Sequence, residues 1–400
     1  MEFSVGIDVG ARTHHVAILD PDGQLKESFE IAHQQTGFDH LFSRLDHHRK
    51  RLGAAPVVGM EGLGGYARPL DRQIQKAGFS LLNLNNLKVN HFRQLFGADA
   101  KNDHRDAVMI AQMVRLRGDL AGNGERILYS ALPVDPLHQR IKRLARRQHR
   151  LIEEKVRLLM RMKADLLAVC PSLLDLTQKI DTLWFLRLLV AYPDLTRLVR
   201  ARAQALLKIP GLGKSFLSRV QVWQAQAALS DEADVVGPML ASDAARVLEL
   251  LDQIMTYGDQ LEALCSESPM AQRLSSLPGF GPKCTARVVG EIGTIRRFDS
   301  ESALAVYLGV ACLDHQSGTT LKRGKPARHV NKVAQVAMLT ATDRHRHFCP
   351  ESQTYYQKKR TEGKTHNQAL RALARHLTRV IYRMLTQDRD YKMKILVAKL

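Results

Sequence analysis

The chain has 400 residues, 45% hydrophobic and 25% charged, and carries a formal net charge of +19 from 59 Lys/Arg against 40 Asp/Glu. That length allows two or three domains and more than one sizeable core. Five cysteines (Cys170, Cys265, Cys284, Cys312, Cys349) without a CxxC pair, no apolar run near the roughly 18 residues of a membrane span, and no signal-peptide pattern argue against a disulfide framework, a zinc site, a spanning helix and secretion.

In chain order, Phe3, Val5 and Ile7 alternate as in a strand, residues 16–19 form a second, Pro21-Asp-Gly23 reads as a tight turn, and residues 25–31 form a third. A helix through Phe38, Leu41, Phe42 and Leu45 follows, then a strand ending at Glu61, a helix over about 66–76, a strand over 79–84, and an apolar helix through Val108, Ile110, Ala111, Met113 and Val114. The order βββαβαβα is that of a ribonuclease-H-like fold, in which the first strand, the fourth strand and the last helix supply acidic ligands. Those places hold Asp8, Glu61, Asp103 and Asp106. Two strand-end carboxylates and an i, i+3 pair on one helical face suit a divalent-metal pocket for phosphodiester chemistry, with Mg²⁺ or Mn²⁺ as the expected ion. Taken singly, Asp8 is also compatible with a turn and Asp103 with a helix cap; it is the set, flanked by Gly6, Gly10, Gly59, Gly62, Gly64 and Gly65, that points to a site.

The positive charge is concentrated. Residues 136–163 hold 10 Lys/Arg against 2 Asp/Glu and residues 322–379 hold 14 against 3, so two segments carry +8 and +11. Such concentration predicts a polyanion partner bound with salt-sensitive affinity. The first segment lacks Gly and, after Pro136, Pro. It reads as a long helix with an apolar stripe at Ile141, Leu144, Leu151, Leu158 and Met162, near heptad spacing, which predicts a coiled-coil arm. Arg140, Lys142, Arg143, Arg146 and Arg147 on that segment are candidate phosphate contacts.

A helical region over about 200–270 opens at Lys208-Ile-Pro-Gly-Leu-Gly-Lys214, and a near-copy follows at Leu277-Pro-Gly-Phe-Gly-Pro-Lys283. The apolar-Pro-Gly-x-Gly form is that of the hairpin in helix-hairpin-helix units, where glycines let backbone N–H groups approach a phosphate. Lys283 and Arg287 follow the second copy, and Lys322, Arg323, Lys325 and Arg328 lie in the second basic segment; all six are further candidate nucleic-acid contacts.

Beyond this point the motifs resemble a known family. Leu277-Pro-Gly-Phe-Gly-Pro, Gly290-Glu-Ile-Gly293, Arg297-Phe-Asp-Ser300, Leu304-Ala-Val-Tyr-Leu-Gly309 and Gln316-Ser-Gly318 are similar to the C-terminal domain of the DEDD insertion-sequence transposases, the bridge-RNA-guided recombinases. Gly6-Ile-Asp-Val-Gly10, Met60-Glu-Gly62 and Lys101-Asn-Asp-His-Arg-Asp-Ala107 resemble the RuvC-like domain of that family in order and spacing. The resemblance implies a RuvC-like DEDD domain over 1–135, a basic coiled-coil or helical arm over 136–200, a helical insert over 201–270, and a mainly helical transposase domain over 271–390 with Ser317 as nucleophile. The family's Arg-Gly-Asn segment stands here as Arg328-His-Val-Asn331, without the glycine, and the 200–270 region is longer than in compact members.

The implied activity is DNA cutting and rejoining through a phosphoserine on Ser317, helped by metal held on Asp8, Glu61, Asp103 and Asp106. Donor and target DNA, a guide RNA and further copies of the chain in a dimer or tetramer are the implied partners, in bacterial cytoplasm beside the nucleoid. A RuvC-type hydrolytic nuclease or Holliday-junction resolvase, in which Ser317 is incidental, is the alternative. An actin-like phosphate loop at Gly6-Ile-Asp-Val-Gly10 is a third reading, but no second phosphate loop or adenosine motif follows it.

Overall fold

The computed structural model describes residues 1–62, 68–84, 89, 103–118, 128–317, 320–326 and 330–392, with the backbone alone for residues 129, 312–317 and 320–326. The chain divides into two compact units, Met1–Pro133 and Val134–Leu400. No helix among the described residues is long and apolar enough to cross a membrane.

In the first unit the elements run β1 (Glu2–Val9), β2 (Thr13–Leu19), β3 (Leu25–Ala32), α1 (Gln35–Leu52), β4 (Ala55–Glu61), α2 (Arg68–Lys76), β5 (Ser80–Leu84), α3 (Asp103–Arg115) and β6 (Leu128–Ser130). They build one mixed sheet of order β3-β2-β1-β4-β5-β6, in which β1, β4 and β5 are parallel neighbours. The arrangement is compatible with a ribonuclease-H-like domain. The short β6, which no sequence pattern announces, adds antiparallel to β5. Phe3, Val5 and Ile7 are fully buried in a core shared with Phe38, Leu41, Leu45, Leu70 and Ile74, so α1 and α2 cover one face. The other face receives α3.

That second contact is unusually close. Gly6 and Gly59 are partners in the β1–β4 register. A Cβ on Gly6 would lie 2.1 Å from the Ala107 carbonyl oxygen and 2.4 Å from the Ala111 nitrogen, and one on Gly59 would lie 2.3 Å from Val114 Cγ2. The paired glycines therefore form a trough in which the Ala107, Ala111 and Val114 face of α3 lies, and α3 cannot keep this depth against any larger residue.

The second unit is mainly helical. Its first helix, α4 (Pro136–Val169), starts cleanly because Asp135 accepts a hydrogen bond from Leu137 N and Pro136 occupies the first turn. Short helices α5 (Leu183–Ala191), α6 (Leu195–Val199), α7 (Ala203–Leu206) and α8 (Lys214–Gln226) precede α9 (Ala233–Ser266). Both α4 and α9 have 34 residues, and they pair antiparallel. Arg161 meets Asp243, Arg246 meets Glu154, Gln148 Nε2 donates to the Ile254 carbonyl at 3.0 Å, and Ile141 shares a core with Leu261 and Cys265. The buried stripe of α4 (His138, Ile141, Ala145, Gln148, Leu151, then Leu159, Met162, Leu166, Val169) keeps a three-four spacing apart from one double step between Leu151 and Leu159. It includes Ile141, Leu151 and Met162 of the expected stripe, while Leu144 and Leu158 are half-buried at its margin. Helices α5–α8 pack Trp184, Phe185, Leu188 and Trp223 over the far ends of the pair.

After α9 come α10 (Pro269–Ser275), α11 (Pro282–Ile292), α12 (Glu301–Tyr307), the hairpin β7 (Cys312–Ser317) and β8 (Thr320–Pro326), then α13 (Lys332–Phe348), α14 (Pro350–Thr361) and α15 (His366–Thr386). Both Pro-Gly-x-Gly segments turn alike, with Gly211 at φ 90° and Gly279 at φ 88°, and Gly213 and Gly281 each capping the following helix. A Cβ on Gly279 would lie 2.4 Å from His345 N, so this glycine is packed against α13. Of the four glycines in the two segments, Gly213 and Gly281 face open space.

Candidate active site

The trough fixes where the acids meet. Asp103 and Asp106 stand on the first turn of α3, and sinking that helix onto Gly6 carries both to the end of β1, where Asp8 sits two residues further on. Asp106 is buried, Asp8 half-buried and Asp103 exposed, and oxygens of the three carboxylates all lie within 4.8 Å of one another. Glu61 ends β4 one step past the Ile7–Met60 pair, hence on the strand beside Asp8, but its carboxylate is not one of the three. Residues 63–67 and 101–102, which hold Gly64, Gly65, Lys101 and Asn102 of the expected motifs, lie outside the described residues.

A hard, all-oxygen donor set suits Mg²⁺ or Mn²⁺. An ion with bonds of about 2.1 Å holds its ligand oxygens at most about 4.2 Å apart. Three ligand oxygens on such an ion include at least two cis pairs about 3.0 Å apart, so carboxylates whose oxygens lie within 4.8 Å of one another would draw together around it. One neighbour was not foreseen: His15 is the cross-strand partner of Asp8 in the antiparallel β1–β2 register, with Nε2 3.5 Å from Glu30 Oε2. Only knowledge of that register could have found it.

Gly6→Ala should lower the stability of the fold by about 1–3 kcal/mol through overpacking, and should weaken metal-dependent activity further by lifting α3 from Asp8. Denaturant unfolding and Mn²⁺ titration of the same variant check both; an unchanged midpoint with wild-type Mn²⁺ affinity would disprove the close approach.

In the second unit Ser317 is the last residue of β7 and pairs with Thr320 across the hairpin. Lys322, Arg323 and Lys325 lie on β8, and Arg328 lies outside the described residues. The five basic candidates on α4 divide. Arg140, Arg143 and Arg147 are exposed, and among the described residues no carboxylate pairs with them. Arg146 and Lys142 instead turn to Glu291 of α11, which is 1% exposed: Arg146 Nε and Nη2 donate to its two oxygens at 2.6 and 2.9 Å, and Lys142 Nζ is 3.4 Å away. Burial acts to raise the Glu291 carboxyl, but Arg146, Lys142 and Asn331 together outweigh it and hold the group below the usual carboxylate range. Lys283 is exposed and Arg287 half-buried.

Comparison with known proteins is consistent along the chain. Residues 5–171 match the family model of the IS110-type DEDD transposases, and residues 271–357 match that of the transposases of the IS116/IS110/IS902 family. The first span contains all four acids, and the second contains Glu291 and Ser317. Among curated relatives, an uncharacterized 43.6 kDa protein of insertion element IS110 from Streptomyces coelicolor is 26% identical over 98% of this chain and 96% of its own length. An uncharacterized 42 kDa protein of IS900 from Mycobacterium paratuberculosis is 27% identical over 96% of each. The mini-circle putative transposase for IS117 of Streptomyces coelicolor is 26% identical over 92% of this chain and 90% of its own.

Proposed function

Because the chain belongs to the IS116/IS110/IS902 family of insertion-sequence transposases, enzymes that cleave DNA and transfer its strands, we propose that it recombines DNA through a phosphoserine on Ser317, with a divalent metal at the acids and an RNA guide. The observation that carries the reading is the convergence of Asp8, Asp103 and Asp106. These carboxylates would hold Mg²⁺ or Mn²⁺, with Glu61 on the adjoining strand as a fourth ligand. When bound, the ion neutralises charge on the scissile phosphate and favours the alkoxide of the attacking hydroxyl.

The chain's own residues do the rest. Ser317 Oγ attacks phosphorus, its proton departs, and one deoxyribose oxygen leaves as a free hydroxyl while the other strand end stays esterified to the serine. Attack by a new hydroxyl reverses the step, so rejoining needs no nucleotide cofactor. Exposed Arg140, Arg143 and Arg147 on α4, together with Lys283, Lys322, Arg323, Lys325 and Arg328, would lie along phosphate backbones. The guide RNA and the assembly into a dimer or tetramer rest on family resemblance, and the RNA can be sought by sequencing nucleic acid that copurifies with the protein.

The direct test incubates end-labelled DNA with protein and Mg²⁺, then denatures. A strand covalently attached to protein supports the phosphoserine; cleavage without attachment makes the enzyme a hydrolytic nuclease or resolvase. That second reading draws on the acids lying in a compact unit of their own.

For the basic helix, reversing Arg140, Arg143 and Arg147 to Glu should weaken nucleic-acid binding and reduce the slope of log K against log salt by about 2.7, near 0.9 per lost phosphate contact on duplex. Arg146 is left out because it already serves Glu291. An unchanged slope would make this face merely solvated.

A further inference from the structure

The hairpin β7–β8 is a two-stranded ribbon, and such a ribbon is marginally stable by itself in water. Among the described residues, the hydrogen bonds that hold it lie at its base, which is stitched at both ends. The chain enters the hairpin from Tyr307 and Gly309 and leaves it at Val330 and Asn331. Asn331 N donates to the Tyr307 carbonyl at 3.4 Å, Asn331 Nδ2 donates to Tyr307 Oη at 3.0 Å, and Gln335 Nε2 donates to the Gly309 carbonyl at 2.6 Å. Gly309 has φ 68°, and a Cβ there would lie 2.7 Å from Gln335 Nε2 and 3.0 Å from Val330 Cβ, so entry and exit are pressed together at a residue that only glycine fits.

Glu291 ties this base to the helices. Asn331 Nδ2 donates to its Oε2 at 2.6 Å, and Tyr307 Oη donates to its backbone carbonyl at 2.9 Å. Arg297 Nη1 reaches the Glu291 and Ile292 carbonyls at 3.2 and 3.0 Å. From the other side come Arg146 and Lys142 of α4, brought close because Gly290 lets α11 sit against that helix: a Cβ on Gly290 would lie 2.7 Å from Lys142 Cα. One glutamate thus joins α4, α11, the end of α12 and the start of α13, the two helices that flank the hairpin. Packing alone does not need it, since a buried ion pair contributes little net stability compared with apolar residues of similar volume. What a fully satisfied polar network adds is a single register.

We propose that Glu291 and Asn331 are positioning residues for Ser317, fixing the base of the hairpin against the basic helix α4 so that the serine is presented in one place. The inference rests on the reading of Ser317 as nucleophile. It also gives Arg146 a function distinct from that proposed for its neighbours Arg143 and Arg147.

Two variants of the full chain test it. Asn331→Ser keeps an oxygen to cap α13, where Asn331 Oδ1 now accepts from Ala334 N, but removes the donor to Glu291. Glu291→Gln keeps the volume and removes the charge. For both, hydrogen exchange of amides in residues 308–326 should quicken by about tenfold or more while α13 and α15 stay protected. Covalent attachment of DNA in a single turnover should slow by about tenfold to a hundredfold, the scale expected of a nucleophile misplaced by about an ångström. Binding of a duplex DNA of fixed length should stay within about twofold of wild type, because the exposed arginines are untouched. Unchanged hairpin exchange in Asn331→Ser overturns the proposal, as does faster exchange with a wild-type attachment rate. Ser317→Ala measured alongside separates the two failures: if it still cleaves like wild type, the nucleophile reading falls and this proposal with it, whereas an inactive Ser317→Ala beside an unaltered hairpin overturns the clamp alone.

Discussion

Asp106→Asn should reduce DNA strand cleavage by about a thousandfold or more, because removing one ligand charge from a metal site forfeits several kcal/mol of transition-state stabilisation. The substitution preserves size and polarity at a buried position whose carboxylate sits with those of Asp8 and Asp103, so the fold should survive it. Asp8→Asn and the double change Asp103→Asn/Asp106→Asn should behave alike, with Mn²⁺ binding lost in parallel and far-ultraviolet circular dichroism unchanged. Glu61→Gln belongs in the same assay and should lower activity too, since Glu61 ends the strand beside Asp8. Wild-type cleavage in chelator, or full activity of the double variant, would end the metal-site reading.

Ser317→Ala is the sharper experiment, because it changes one oxygen. If binding resides on the basic surfaces and the chemistry on a single hydroxyl, as proposed, the variant should bind DNA and RNA as wild type does yet yield no covalent protein–DNA species and no recombinant product. Ser317→Cys should retain a trace, a thiolate being a competent nucleophile of different size. Thr319→Ala and Thr320→Ala are the controls and should keep most activity. Cleavage by Ser317→Ala at the wild-type rate would assign the attack to water and recast the enzyme as a nuclease of the RuvC type.

The first unit was largely legible because its signals are local. Alternation at Phe3, Val5 and Ile7, the Pro21-Asp-Gly23 turn and the apolar run before Glu61 each announce an element without reference to anything distant. What sequence could not supply was pairing. That Gly6 and Gly59 are partners, and so jointly admit α3, follows only once β1 and β4 lie side by side. The same holds for His15 opposite Asp8. In the second unit the apolar stripe of α4 marked a long helix, but nothing in its spacing says that residues 233–266 are its partner. Nor do Arg143, Arg146 and Arg147 differ as letters. Their division into two without a carboxylate among the described residues and one bound to Glu291 is decided by α11, more than a hundred residues downstream.

The antiparallel pairing of α4 with α9 also sets a schedule for biosynthesis. Helix α4 is complete at Val169 and its partner only at Ser266. At translation speeds of about 5–20 residues per second, the growing chain carries the unpaired apolar stripe of α4 for roughly 5–20 s before α9 has been made. Met1–Pro133 holds its own cores and can fold during that interval. The stripe at Ile141, Ala145, Leu159 and Met162 then depends on chaperone cover or on the nascent helices α5–α8 until the ribosome delivers the other half.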